Sequence, residues 1–157
     1  MGIVAKINDA LSIRVHRYFD AIEPSDIFAL AEFYRANPAL VKTDVISFVD
    51  ESATGHTVLV KHLELMRERF RELHRSSDFL LIRRSVWVCP NVSAWSLLED
   101  FLHERHSRDG LGSEVCLVAT LPEASCLFEP DEVAAVGTGN GFRPLFSNDQ
   151  PASARAA

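Results

Sequence analysis

The chain has 157 residues, of which 47% are apolar and 24% charged, and its formal net charge is -6. This length and composition predict one globular domain with a sizeable core, and they exclude a disordered or collagen-like chain. The acidic balance argues against a protein that coats nucleic acid or an anionic membrane through bulk charge. We therefore expect no nucleic-acid partner.

The compartment is predicted from what the sequence lacks. Its first ten residues, MGIVAKINDA, have neither the apolar core nor the cleavage site of a secretory signal. No apolar run reaches the ~18–20 residues of a membrane span. Three cysteines among apolar neighbours (Cys89, Cys116 and Cys126) are typical of buried small side chains rather than of disulfides or metal ligands. We expect a cytoplasmic protein without a cofactor.

An N-terminal β-hairpin is the first predicted element. Residues 3–7 and 11–19 are β-rich, and Asn8-Asp9 between them is typical of a turn. In the second strand apolar residues alternate with polar ones such as Arg14 and His16. The alternation predicts a hairpin with one buried face.

Helices and strands alternate after the hairpin. A helix is predicted after Pro24 with Ser25 as N-cap, then a strand at 44–50. A second helix is predicted from Thr57, because apolar residues recur along it every three or four positions. A strand within 79–89, a helix after Pro90, a strand at 114–119 and a short helix ending near Phe128 complete the series.

This order predicts an α/β domain over residues 1–128. We expect a mixed, largely parallel sheet of about five strands, with the hairpin at its start and about four helices. From residue 129 to 157, glycine and proline interrupt the chain repeatedly. That segment is predicted to be a tail that is flexible or packs only locally.

Several segments carry a family resemblance: RVHRYF after the hairpin turn, EPSDIFAL at the first helix, ISFVD, RRSVWVC and EVCLVATLPEASCLF. In these segments and their order, residues 7–128 resemble the STAS / SpoIIAA-like fold group, the small α/β domains related to bacterial anti-sigma-factor antagonists. The chain departs from that group at Asp20, where a glycine is usual, and at Leu127-Phe128, where a tryptophan-leucine pair is usual. The resemblance implies a SpoIIAA-like fold and a regulatory role.

The resemblance also implies a phosphorylation switch. In the antagonist branch a partner kinase phosphorylates a serine at a strand-to-helix junction, and the corresponding loop here is 50–57. It offers Ser52, Thr54 and Thr57 near a helix N-terminus, where a phosphate is favourably placed. The alternative is that Thr54 or Thr57 only caps the helix.

Two further groups of side chains allow a functional interpretation and a simpler structural one. His103 and His106, with Glu99 one turn before His103, are weak candidates for a zinc site, and the simpler interpretation is a polar helix end. A basic segment, 61–84, could form a partner or anion surface through the arginines Arg67, Arg71, Arg83 and Arg84. Its plainer reading is a solvated helix with ion pairs between Glu64 and Arg67 and between Glu68 and Arg71.

Two function classes follow from these observations. The first is a non-enzymatic interaction or regulatory domain that binds another protein. A homodimer of this chain is compatible with that class. The alternative is a domain of Sec14-like architecture that binds a small apolar, lipid-type ligand. An enzyme ranks last, because no convergent set of catalytic residues is recognisable. An apolar pocket beside the sheet favours the ligand-binding class, whereas a flat charged helix face favours the interaction class.

Overall fold

One mixed β-sheet of six strands runs through the residues that this computed structural model describes, namely 2–55, 57–75, 84–102 and 114–148. In chain order its strands are β1 (Gly2–Asn8), β2 (Ile13–Phe19), β3 (Asp44–Val49), β4 (Arg84–Val88), β5 (Glu114–Val118) and β6 (Arg143–Ser147). The helices are α1 (Pro24–Ala36), α2 (Val60–Arg75), α3 (Val92–Leu102) and α4 (Pro130–Thr138), with 3₁₀ helices at Pro38–Lys42 and Leu121–Cys126. The predicted α/β class is confirmed, and the sheet is larger than expected.

The strand order is β5-β4-β3-β2-β1-β6. Neighbouring strands from β2 to β5 pair in parallel, whereas β1 pairs antiparallel with both β2 and β6. The expected hairpin and the largely parallel remainder are therefore confirmed. Because parallel strands end at the same edge of a sheet, the loops after β2, β3 and β4 lie side by side.

Both faces of the sheet are covered. Helices α1, α2 and α3 pack on one face, and the second 3₁₀ helix and α4 pack on the other. The expectation that the hairpin has a single buried face is wrong, because Arg14 and His16 lie under the first layer and are 0% and 7% exposed. Their polar character reflects a buried polar cluster rather than a solvated face.

The segment after residue 128 is part of the fold as far as residue 148. Strand β6 pairs with β1, its Phe146 ring lies 5.3 Å from the Phe33 ring of α1, and Asn148 accepts the N–H of Ile3. The prediction of a tail that starts at residue 129 and packs only locally is therefore wrong for residues 130–148. Residues 149–157 lie outside the described part.

An arginine on β4 connects α4 to the sheet through ion pairs. The Arg84 guanidinium bonds Asp44 of β3 at 2.8 Å and Glu132 of α4 at 2.9 Å, and it donates to the carbonyl of Leu127 at 3.1 Å. It also lies over the Phe128 ring, with Cζ 4.3 Å from the centroid. One side chain thus connects two strands with the C-terminal segment.

Local details at two helix starts differ from the prediction. Glu23, not Ser25, is the N-cap of α1, where it forms a capping box with Asp26. The helix predicted after Thr120 is a 3₁₀ helix.

Within the described residues no helix is both long and apolar enough to cross a bilayer.

Candidate functional site

A largely apolar cavity of about 220 Å³ lies at the carboxyl ends of β2, β3 and β4. Its floor is the sheet, its walls are α1, α2 and α3, and the loop after β3 closes one side. The lining residues include Tyr18, Val49 and Trp87 from the strands, Leu63 and Met66 from α2, and Ala94, Leu97 and Leu98 from α3. This edge of a parallel sheet is where ligands bind in open α/β folds.

Two aromatic rings form part of the cavity floor. The rings of Tyr18 and Trp87 stack with centroids 5.7 Å apart and an interplanar angle of 21°. Burial raises the pKa of the Tyr18 phenol, so the hydroxyl stays neutral at physiological pH. Thr54 and Ser93 contribute the other side-chain hydroxyls. The cavity therefore offers apolar surface with few polar groups and no charge among its lining residues.

A buried asparagine fixes the loop that closes the cavity. The side-chain amide of Asn91 donates to the carbonyls of Asp50 at 3.0 Å and Ala53 at 2.8 Å. Its oxygen accepts the Ala94 N–H at 3.1 Å and the Ser93 hydroxyl at 2.7 Å. Asn91 therefore connects the loop after β3 to the start of α3 and caps this helix.

The loop also pairs with the segment after β2. Asp20 has a φ of 55°, in the left-handed region that asparagine and aspartate tolerate better than most residues. The Thr54 N–H donates to the Asp20 carbonyl at 2.8 Å, and the Ile22 N–H donates to the Thr54 carbonyl at 2.7 Å. Aspartate thus takes a backbone conformation that glycine adopts readily, at the position where the resembled group has glycine.

The predicted phosphorylation loop is this same cavity wall. Ser52 is exposed and its hydroxyl accepts the Asp20 N–H at 3.2 Å, while Thr54 lines the cavity. Helix α2 begins only at Val60, so Ser52 and Thr54 precede it by more than a turn, and neither lies at the helix N-terminus. The capping alternative is not seen either: the Leu59 N–H donates to His62 Nδ1 at 2.9 Å, and Thr57 is exposed.

The predicted basic surface is not assembled by the described arginines. Arg67 is 2% exposed and donates to the Phe101 carbonyl at 2.6 Å, because its stem packs between α2 and α3. Arg84 is occupied by two carboxylates, and Arg83 lies outside the described residues. The predicted ion pairs of Arg67 with Glu64 and of Arg71 with Glu68 are present, but Arg67 is buried rather than solvated.

The metal and cysteine predictions have mixed outcomes. His103 and His106 lie outside the described residues, and within the described ranges no group of three or more candidate ligands could hold a metal ion. Cys89 is buried as expected, whereas Cys116 is half-buried and Cys126 is exposed. Burial raises the pKa of Cys116 to about 12, with Cys126 beside it as a smaller cause.

A polar cluster lies deeper under α1, apart from the cavity lining. His16 Nε2 is 2.6 Å from the Tyr34 hydroxyl, and the Arg14 guanidinium lies over the Tyr34 ring with Cζ 4.6 Å from the centroid. Burial, with a smaller effect from Arg14, holds the pKa of His16 well below its usual value. His16 is therefore neutral in the folded protein at neutral pH.

The cavity was not predicted from the sequence. Its large side chains fall in periodic apolar patterns, which equally predict a filled hydrophobic core. The available signal was the small residues Ala53, Gly55 and Ala94, which stand between large apolar ones at the strand-to-helix junctions.

Comparison of the chain with family models, curated proteins and solved structures finds no match.

Proposed function

We propose that this domain binds a small apolar ligand of lipid type in the cavity at the carboxyl ends of β2, β3 and β4. The observation that carries the proposal is the cavity itself, whose lining is largely apolar over about 220 Å³. An apolar cavity of ~150 Å³ in another protein stays dry and binds benzene. The space here therefore suits a somewhat larger molecule.

The balance of forces favours an apolar molecule over water. A buried water needs two to four polar partners, and the side chains that line this cavity offer hydroxyls only at Tyr18, Thr54 and Ser93. An apolar ligand gains dispersion contacts with Trp87, Met66 and the leucines and removes their surface from water. The proposal places such a non-enzymatic carrier in the cytoplasm.

A regulatory domain that binds another protein is the second candidate. Apolar side chains exposed next to the cavity residues favour it: Leu59 is 50% exposed and Val92 is 88% exposed. They stand at the starts of α2 and α3, beside Val58 and Ser93 of the lining. In this alternative the exposed Ser52 would regulate the complex, as the SpoIIAA-like resemblance implies.

Native mass spectrometry of the protein purified from its own cells tests the proposal. We expect an additional small-molecule mass that leaves on denaturation. Ala94→Phe adds a ring inside the cavity and is expected to remove that mass, whereas Ser96→Phe, exposed on the same helix, is expected to retain it. A protein without added mass in all three forms contradicts ligand binding, and a retained protein partner or phosphate supports the second candidate.

A further inference from the structure

We propose that Arg14 holds a small monovalent anion, a halide or a carboxylate, in the core beneath α1. The site is separate from the proposed ligand cavity, since Arg14, His16 and Tyr34 are not among the residues that line it. The two proposals therefore stand or fall independently.

Arg14 is fully buried in the core. Arg14 lies in the middle of the sheet, on the face that α1 covers, and is 0% exposed. Its pairing neighbours on both sides are apolar, Ile7 of β1 and Val45 of β3. Arginine stays protonated in proteins. A full positive charge is therefore held in the interior.

Arg14 also lacks a counter-charge within the part of the chain that the structure describes. Among the described residues no carboxylate forms an ion pair with Arg14. The ionisable groups beside it are His16 and Tyr34, and burial favours the neutral form of both. The cluster therefore carries a net positive charge where water cannot screen it.

The guanidinium of Arg14 also has donors without an acceptor. Nη2 donates to the Thr43 carbonyl at 3.5 Å, while Nε and Nη1 are buried without a hydrogen-bond partner. By contrast Arg67, the other fully buried arginine among the described residues, has both a carbonyl and a carboxylate. Tyr34 gives Arg14 a cation-π contact through its ring and a hydrogen-bonding neighbour through its hydroxyl, but it supplies no negative charge.

An anion satisfies both requirements at once. It supplies the missing negative charge and accepts hydrogen bonds from the unpartnered nitrogens, and charge-assisted bonds of this kind are the stronger ones. A single negative charge neutralises the cluster, whereas a divalent anion would leave a new buried charge. The complete burial of Arg14 favours a small species. Halides and small carboxylates share these properties.

Urea unfolding at constant ionic strength tests the proposal. Sodium gluconate is replaced stepwise by sodium chloride in one series and by sodium acetate in the other. At anion concentrations above the dissociation constant, each tenfold rise in the concentration of the anion that binds is expected to lower the unfolding equilibrium constant about tenfold. The series that responds identifies the halide or the carboxylate as the ligand.

Two variants make the test specific. Arg14→Met keeps the apolar stem and is expected to abolish the anion dependence. Arg17→Met, on the same strand but with a half-exposed side chain paired to Asp50, is expected to keep it. Should Arg14→Met fail to fold, crystals of the wild type soaked in bromide or acetate decide the matter. An anion beside Nε and Nη1 is expected; ordered water alone, or no response in either series, overturns the proposal.

Discussion

Lowering the pH from 6.5 to about 5.5 is expected to reduce the free energy of unfolding by about 1 kcal/mol through His16 alone. The imidazole is buried against Tyr34 and beside Arg14, so the folded protein keeps it neutral. The unfolded chain binds a proton near the usual histidine pKa of 6.5. A fall in pH therefore stabilises the unfolded state relative to the folded state.

The sign follows from proton binding. Because the pKa of His16 is lower in the folded state, the unfolded state binds more protons as the pH falls through 6.5. The contribution of His16 is fully present above pH 6.5 and declines until the pH reaches the lowered pKa of the folded state. Below that value the loss stops growing.

Urea unfolding between pH 7.5 and about 5 measures this slope, which the linkage relation sets at ~1.4 kcal/mol for each pH unit and each proton. His16→Gln is expected to flatten the slope in this window, because the residue that replaces histidine does not titrate. An equal slope in the wild type and in His16→Gln would show that other groups carry the dependence. An NMR titration of the His16 ring checks the lowered pKa directly.

Replacing Arg84 is expected to cost about 3 kcal/mol of unfolding free energy. Arg84→Met keeps the stem over Phe128 but leaves the 3% exposed carboxylate of Asp44 and the 14% exposed carboxylate of Glu132 without this partner. Arg84 also lowers the pKa of Glu132, so the ion pair stabilises the folded state above the carboxylate's titration range.

Arg143→Met is the matched control for that change. Arg143 pairs with Asp9 at 2.7 Å, but both side chains are more than half exposed. Exposed pairs contribute ~0–1 kcal/mol, so this variant is expected to unfold near the wild-type midpoint. If both variants lost equally little stability, the attachment of α4 through Arg84 would not hold the C-terminal segment to the domain.

Local patterns predicted most of the fold up to residue 128. The hairpin, the α2 stripe and the strand within 79–89 followed from period and turn chemistry, and their boundaries moved by a few residues. The SpoIIAA-like assignment stays a prediction, since order of elements alone does not identify a family.

The C-terminal error has a physical cause. Glycine and proline in 129–157 favour the prediction of a tail. In the structure Gly139 and Gly141 have positive φ values of 74° and 78° in the turn between α4 and β6. Pro144 is tolerated because β6 is an edge strand of the sheet. A single sequence does not show that β6 pairs with the distant β1.

The buried polar residues were the other limit of sequence reasoning. Arg14 and His16 alternate with apolar residues, which is also the pattern of a solvated strand face. Only the tertiary arrangement, with α1 lying over them, distinguishes the two. The same holds for Asn91, whose hydrogen bonds to the loop after β3 connect segments about 40 residues apart.

The central claim is that the cavity floored by Tyr18 and Trp87 takes an apolar ligand. The most direct measurement is a fluorescence titration of the Trp95→Phe variant with 1-octanol, because Trp87 is then the only tryptophan. We predict a saturable change with one site per chain and its loss in the Trp95→Phe, Ala94→Phe double variant. A Trp87 signal that does not saturate, or that is the same in both variants, would contradict the claim.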